Sequence, residues 1–295
     1  MLGSMVTEVL SRQPGCRVLA AVRDEKYLRR ARTDLGNAEW TLLRVDETTG
    51  AFDESALAGC EWIVNAIGVT RSEIGDEPAG AERAMTLNAL FPGRLGAWAE
   101  RSNARILQIA TDAVYSGRRG GYREEDAHDP VDVYGRTKSL GESRRRPCHH
   151  IRCSIVGPET RGHTFLLEWF LAHPRGARVQ GYTNHRWNGV TTLAFARVSW
   201  GIIREALDPD HLQHLVPSGV VTKHDLLLAF RGAYAREDLV LEPTEAPSPV
   251  DGTLATEKPE GNRALWRAAG YPEPPTVAAM VHELATFDRA LTALD

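Results

Sequence analysis

The amino-acid sequence predicts an α/β fold, a doubly wound parallel sheet with a smaller C-terminal lobe. Three observations carry this. Short apolar runs recur along the first half of the chain, helical patterns separate them, and the runs are near-continuously apolar, as in strands buried on both faces. The strand candidates are CRVLAAV (16–22), WTLLRV (40–45), EWIVNAIG (61–68), RILQIA (105–110) and HIRCSIV (150–156). Helices are expected at about 25–34, 53–59, 78–102 and 132–146. Beyond Gly157 the pattern loses regularity, with Pro or Gly at 158, 162, 174, 176, 181 and 189. HTFLLEWFL (163–171) reads as an amphipathic helix with Trp169 and Phe170 toward the core. A helical run at 191–207 returns to the sheet, and EPTEAPSPVDG (242–252) reads as a surface loop. The division expected is 1–158 plus about 190–212 for the sheet domain, and 159–189 plus 213–295 for the second lobe.

Composition narrows the function class. At 295 residues the chain can build one large α/β domain with a smaller lobe. Net charge is −4 with both signs interspersed, which leaves no basic footprint for nucleic acid; Arg144–Arg146 read as a solvated helix end. Cys16, Cys60, Cys148 and Cys153 lack metal-ligand spacing and read as reduced thiols, and His149 and His150 as packed or exposed histidines. No metal is expected. The chain contains no apolar run of membrane-spanning length and does not open on a signal-peptide layout, so a cytoplasmic protein without membrane contact is expected.

The stretch ILQIATDAVYSGRRGGYREEDAHDPVDVYGRTKSLGE (106–142) carries the chemistry. It reads as a buried strand, Thr111 at the strand's end, a polar loop, and a helix bearing Tyr134 and Lys138. Four residues apart, those two share one helix face. A phenol beside an ammonium has its ionised form favoured and can exchange a proton near neutral pH. Thr111 could hydrogen-bond the same reacting oxygen. The bare Tyr-x-x-x-Lys pair also describes a solvated helix face, but the order strand–Thr–loop–Tyr-x-x-x-Lys resembles the extended short-chain dehydrogenases/reductases. The wording ATDAVYSG…YREED…VYGRTKSLGE is most similar to the dTDP-4-dehydrorhamnose reductase family.

That resemblance implies a Rossmann-like nucleotide domain and a nicotinamide cofactor. Residues 1–12 form an amphipathic helix with Gly3, Val6 and Leu10 on one face. In the family a strand and G-x-x-G precede this helix, and Gly3 matches the third glycine, with Leu2 beside it at the cofactor. The expectation is a sheet lacking its first strand, the alternative being that this helix opens the fold with nothing missing. Arg23, directly after CRVLAAV, either pairs with a 2′-phosphate, favouring NADP(H) over NAD(H), or is an exposed turn arginine. Asp46 matches an aspartate near the adenine or caps the following segment. Asn65-Ala66-Ile67-Gly68 resembles the N-A-x-G turn along the ribose, and Asn88 the helix asparagine that supports the catalytic lysine through water.

Ser154 and Ile155 match the strand tail beside the nicotinamide. Asp112 and Val114 follow the catalytic threonine, and Trp187 and Asn188 fall in a loop (181–193) that resembles the substrate loop; Trp187 is equally a hinge anchor between lobes. The reading implied is an NAD(P)H-dependent reductase of a nucleotide-activated 4-keto-6-deoxy sugar, with Tyr134 as acid, Lys138 lowering its pKa and holding the ribose, and Thr111 orienting the carbonyl. A nucleotide sugar is the expected partner, with a homodimer left open. An epimerase or dehydratase of the same superfamily, or a non-catalytic NADP-binding regulatory subunit, are the alternatives.

Overall fold

The computed structural model describes residues 1–25, 38–142, 147–160 and 162–289. The helix expected at 25–34 and the Arg144–Arg146 run fall almost wholly outside the described residues. The chain runs α1 (Leu2–Ser11), β1 (Val18–Val22), β2 (Ala38–Leu42), β3 (Trp62–Asn65), α2 (Arg71–Ile74), α3 (Pro78–Met85), α4 (Phe91–Ser102), β4 (Arg105–Ala110), α5 (Val133–Leu140), β5 (Cys148–Arg152) and β6 (Ile155–Val156). It continues through α6 (Leu166–Leu171), β7 (Arg178–Tyr182), β8 (His185–Trp187), β9 (Val190–Thr191), α7 (Thr192–Arg204), β10 (Leu212–His214), β11 (Val221–Thr222), α8 (Lys223–Ala233), β12 (Val240–Thr244), β13 (Val250–Asp251), α9 (Pro259–Ala268) and α10 (Val277–Thr286).

The central strands are parallel, and helices cover both faces. On one face α1 packs against α7 because Leu2, Met5, Val6, Val9 and Leu10 fall on its inner side and join Leu193, Val198 and Ile202 in a single cluster. On the other, Phe91, Leu95 and Trp98 of α4 pack with Leu43, Leu57 and Ile106. Strands that are buried on both sides need apolar residues at nearly every position, hence the continuous runs in the sequence.

Among the described residues the layer is broken between β1 and β3. β1 pairs with β2, and β3 with β4, β5 and β10 in that order, while among the described residues β1 and β3 are not hydrogen-bonded to each other. A cavity of about 920 Å³ lies between them, lined by Gly3, Val6 and Leu10 of α1, by β1, and by residues 62–67. The helix face expected to seek a strand therefore looks into this slot.

Local differences from the sequence reading have identifiable causes. The second strand is Ala38–Leu42 rather than 40–45, in register with β1 from Val18↔Ala38. The segment 53–59 holds only a 3₁₀ turn, Glu54–Leu57, capped by Asp53. The expected loop 242–252 instead contributes to β12, parallel to β7, and β13, beside β8, because backbone pairing overrides its Pro-rich composition. Phe170 is fully buried, but Trp169 on the neighbouring helix position is 39% exposed. The four cysteines are free; Cys148 and Cys153 are buried and the other two half-buried. His149 and His150 are buried in β5. Among the described residues no helix is long and apolar enough to cross a membrane.

Candidate active site

In a parallel layer the strand C-termini share one edge, so residues that follow them converge. Arg23 follows β1, Ala66–Gly68 follow β3, Thr111 follows β4, and Ser154 lies just past β5. Helix α5 then brings Tyr134 to Thr111. Its approach depends on Gly135, where an added Cβ would stand 2.1 Å from the Ala113 carbonyl oxygen. Asp132 caps the helix by accepting from the Gly135 amide (2.7 Å) and pairs with Arg71 (2.5 Å), whose guanidinium lies 5.7 Å from the Tyr134 ring centroid.

Thr111 accepts from the Ala113 amide (3.2 Å) and donates to Asp112 Oδ1 (3.2 Å). Burial raises the Tyr134 pKa, with the facing Thr111 hydroxyl pulling it back and Asp112 adding to the rise. This corrects the expectation of a phenol biased toward ionisation by Lys138. The lysine, 9% exposed, spends its amine on the Ile109 carbonyl (2.9 Å), and burial brings its own pKa down to about 8 against the pull of Glu142. The resting tyrosine keeps its proton.

Asn88 sits in a π-helical turn, Thr86–Leu90, between α3 and α4. Such turns insert an extra residue and re-aim side chains. Its amide accepts from Val69 N (2.8 Å) and donates to Val69 O (2.9 Å) and Thr137 Oγ1 (3.1 Å). It thus ties the β3 loop to the helix of Tyr134 and Lys138 directly, through the lysine's neighbour. Asn65 is buried, donating to Gln108 (2.7 Å) and accepting from Ile67 N (3.1 Å), which shapes the Ala66-Ile67-Gly68 turn.

Other expected residues are placed differently. Leu2 is buried in the core, and Gly3 faces Ala66, where an added Cβ would fall 3.6 Å from the Ala66 Cβ, an ordinary contact that the helix could accommodate. Exposed Asp46 accepts from Thr48 N, Thr49 N and Thr49 Oγ1, the capping alternative, and this holds its pKa below the usual carboxylate range. Arg23 is exposed at the strand end. Val114 is fully buried with Tyr115, Tyr122 and Leu254. Asn188 is committed to the Leu254 backbone through both amide atoms (2.7 and 2.9 Å). Ile155 pairs with Val190 between β6 and β9. Trp187 donates to Ser154 Oγ (2.7 Å), and Gly189 is required beside it, since a Cβ there would meet the indole at 2.3 Å. Asp112, hydrogen-bonded by Thr111 and Ser154, has its pKa raised by burial.

Sequence reasoning missed a buried polar network centred on Arg152. Its guanidinium, fully buried, donates to Glu142 (2.5 and 3.2 Å), Tyr115 Oη (2.6 Å), His128 Nε2 (2.8 Å) and His214 Nε2 (2.8 Å). Arginine cannot accept, so both histidines accept at Nε2 and are neutral. Burial accordingly lowers both pKa values, that of His214 to about 4. The network joins β5 and β10 to the end of α5 and to the loop after Thr111. It could not be read from the chain because its members come from four separated segments.

A sequence profile for the RmlD substrate binding domain matches residues 2–250. The chain belongs to this family. Over 97 residues it is 35% identical to a dTDP-4-dehydrorhamnose reductase of Mycolicibacterium smegmatis, a match covering 30% of this chain and 29% of that protein. It is 27% identical over 221 residues to the Salmonella typhimurium protein of that name, covering 68% of this chain and 73% of that one. The fold resembles that of a Bacillus anthracis dTDP-4-dehydrorhamnose reductase solved in complex with NADP, with a TM-score of 0.66, 15% identity, and 91% and 98% of the two chains covered.

Proposed function

We propose that this protein is an NADP(H)-preferring reductase of a nucleotide-activated 4-keto-6-deoxy sugar. The observation that carries the reading is the convergence of a protonated Tyr134, Thr111 and a buried Lys138 at the strand ends of a chain in this family. Arg23, the Ala66–Gly68 turn and Lys138 suit a dinucleotide laid across those ends: a cation for a 2′-phosphate, a backbone turn at the ribose, and a second cation. When bound, the nicotinamide supplies a hydride.

The side chains do the rest. Tyr134 gives its proton to the keto oxygen as the carbonyl becomes an alcohol, and solvent later restores it. Thr111 donates a hydrogen bond to the same oxygen and fixes its direction. Lys138, still largely charged below about pH 8, favours the phenolate that forms transiently. Proton transfer of this kind is worth ~10²–10⁴-fold in rate. The test is loss of NADPH absorbance in the presence of dTDP-4-dehydrorhamnose. Stoichiometric oxidation of NADPH supports the reading; tight cofactor binding with no turnover would favour the regulatory-subunit alternative.

A further inference from the structure

The N-terminus of α8 carries a residue for which the fold alone offers little reason. Lys223 is its first residue, and Thr222 and Asp225 form a capping box around it: Thr222 N donates to Asp225 (2.9 Å) and Asp225 N to Thr222 (3.1 Å). A cation in the first helical turn opposes the helix dipole, so this placement costs stability. Its ammonium lies 5.6 Å from the Trp187 ring centroid, within cation–π reach. Among the described residues it makes no hydrogen bond, and the one carboxylate acting on it is Asp112. Burial lowers the pKa of this lysine, as expected for a charge without a fixed partner.

The surroundings tie Lys223 to the catalytic centre. β11 pairs antiparallel with β8, Val221 opposite Trp187, which brings the start of α8 to the tryptophan. Trp187 bonds Ser154, Ser154 and Thr111 bond Asp112, and Asp112 acts on both Lys223 and Tyr134. Asp112 is therefore the common neighbour of the tyrosine and the lysine, and one ligand the size of a nucleotide sugar reaches both. The nearby Arg71 is already paired with Asp132. Of the two cations acting on Asp112 among the described residues, Lys223 is the one without an ion pair, and it has an aromatic face beside it.

We infer that Lys223, with the Trp187 ring, binds the diphosphate of the nucleotide sugar and holds the sugar with its keto carbon toward Tyr134. The inference rests on the reductase reading for the identity of the sugar. It needs only the geometry of Lys223, Trp187 and Asp112 for the anion. In a 4-keto sugar nucleotide the diphosphate leaves from C1, across the ring from C4. A cation that one ligand reaches together with the acid is what that orientation requires.

The experiment is calorimetric titration of dTDP into the protein saturated with NADP⁺, using wild type, Lys223→Met, Lys223→Gln and Lys223→Arg. Thermal melts establish which variants are folded. Both neutral variants are expected to weaken dTDP by about tenfold or more, the loss of one charge-assisted hydrogen bond. Lys223→Arg keeps the charge and recovers most of the affinity, and NADP(H) binding stays unchanged in all three. In turnover, KM for the sugar nucleotide rises with the dTDP Kd while kcat moves little. Folded neutral variants that bind dTDP as wild type does, or that lose NADP(H) instead, overturn the inference, as does failure of the wild type to bind dTDP. Lys223-dependent dTDP binding without turnover of dTDP-4-dehydrorhamnose would retire the reductase reading and leave the anion site standing.

Discussion

Lys138→Met tests the site through stability as well as rate. In the folded protein burial lowers this amine from 10.5 to about 8, and at 1.36 kcal/mol per pKa unit that is about 3 kcal/mol. A base whose folded pKa is depressed binds fewer protons than the unfolded chain between the two values. Stability therefore rises as pH climbs from about 8 toward 10.5, and below about pH 8 the full cost of the buried charge is carried without further change. The methionine variant lacks this group and keeps all others. Urea unfolding of both proteins at intervals from pH 7 to pH 10.5 should give a difference in stability that grows by about 3 kcal/mol in favour of wild type as pH rises. At neutral pH two effects oppose each other in the variant: relief from a buried charge, and an Ile109 carbonyl left without its donor, worth ~1–3 kcal/mol. The pH-dependent part is free of that cancellation. Parallel stability curves would refute the argument that the ammonium is held at a cost in a desolvated site. Turnover should collapse in the variant at every pH, and in wild type kcat should decline above about pH 8 as the amine loses its proton.

Four further outcomes are expected. Tyr134→Phe should stay folded and bind NADPH while kcat drops by about 10²-fold or more; near-normal turnover would remove Tyr134 as the acid. Arg23→Ala should weaken NADPH by about tenfold and leave NADH unaffected, and equal effects in fluorescence titration would make this arginine a bystander. His214 accepts from Arg152 only when neutral, so its depressed pKa stabilises the fold above about pH 6.5 and is lost toward about pH 4, on the order of 3 kcal/mol. Urea midpoints that stay flat across that acid window would contradict it. Finally, an apolar strand of about five residues and a G-x-x-G turn, fused ahead of Met1, should enter the slot between β1 and β3, raise Tm by at least about 2 °C and tighten NADP(H) binding. An unchanged melting curve would show that the slot does not accept a strand.

Local pattern determined much of this protein. Apolar runs bounded by helical periodicity placed β1, β3, β4 and β5, because a strand buried on both faces leaves its mark in consecutive residues. The four-residue spacing of Tyr134 and Lys138 is likewise a helix property, legible without any tertiary contact. The Gly3–Val6–Leu10 spacing on one helix face was legible in the sequence, and that face lines the cavity between β1 and β3. Tertiary structure decided what depends on who meets whom. β12 and β13 formed from a Pro-rich stretch because neighbouring strands offered pairing partners. Tyr134 keeps its proton because burial raises its pKa against the pull of the Thr111 hydroxyl, while the Lys138 amine is committed to Ile109. Asn188, Val114 and Asp46 had the right residue types for ligand contact, yet their polar atoms or side chains are taken up by backbone and core. Arg152, His128, His214 and Lys223 lie far apart in the chain, and burial and charge between distant segments are properties of the folded contact rather than of any local run of residues.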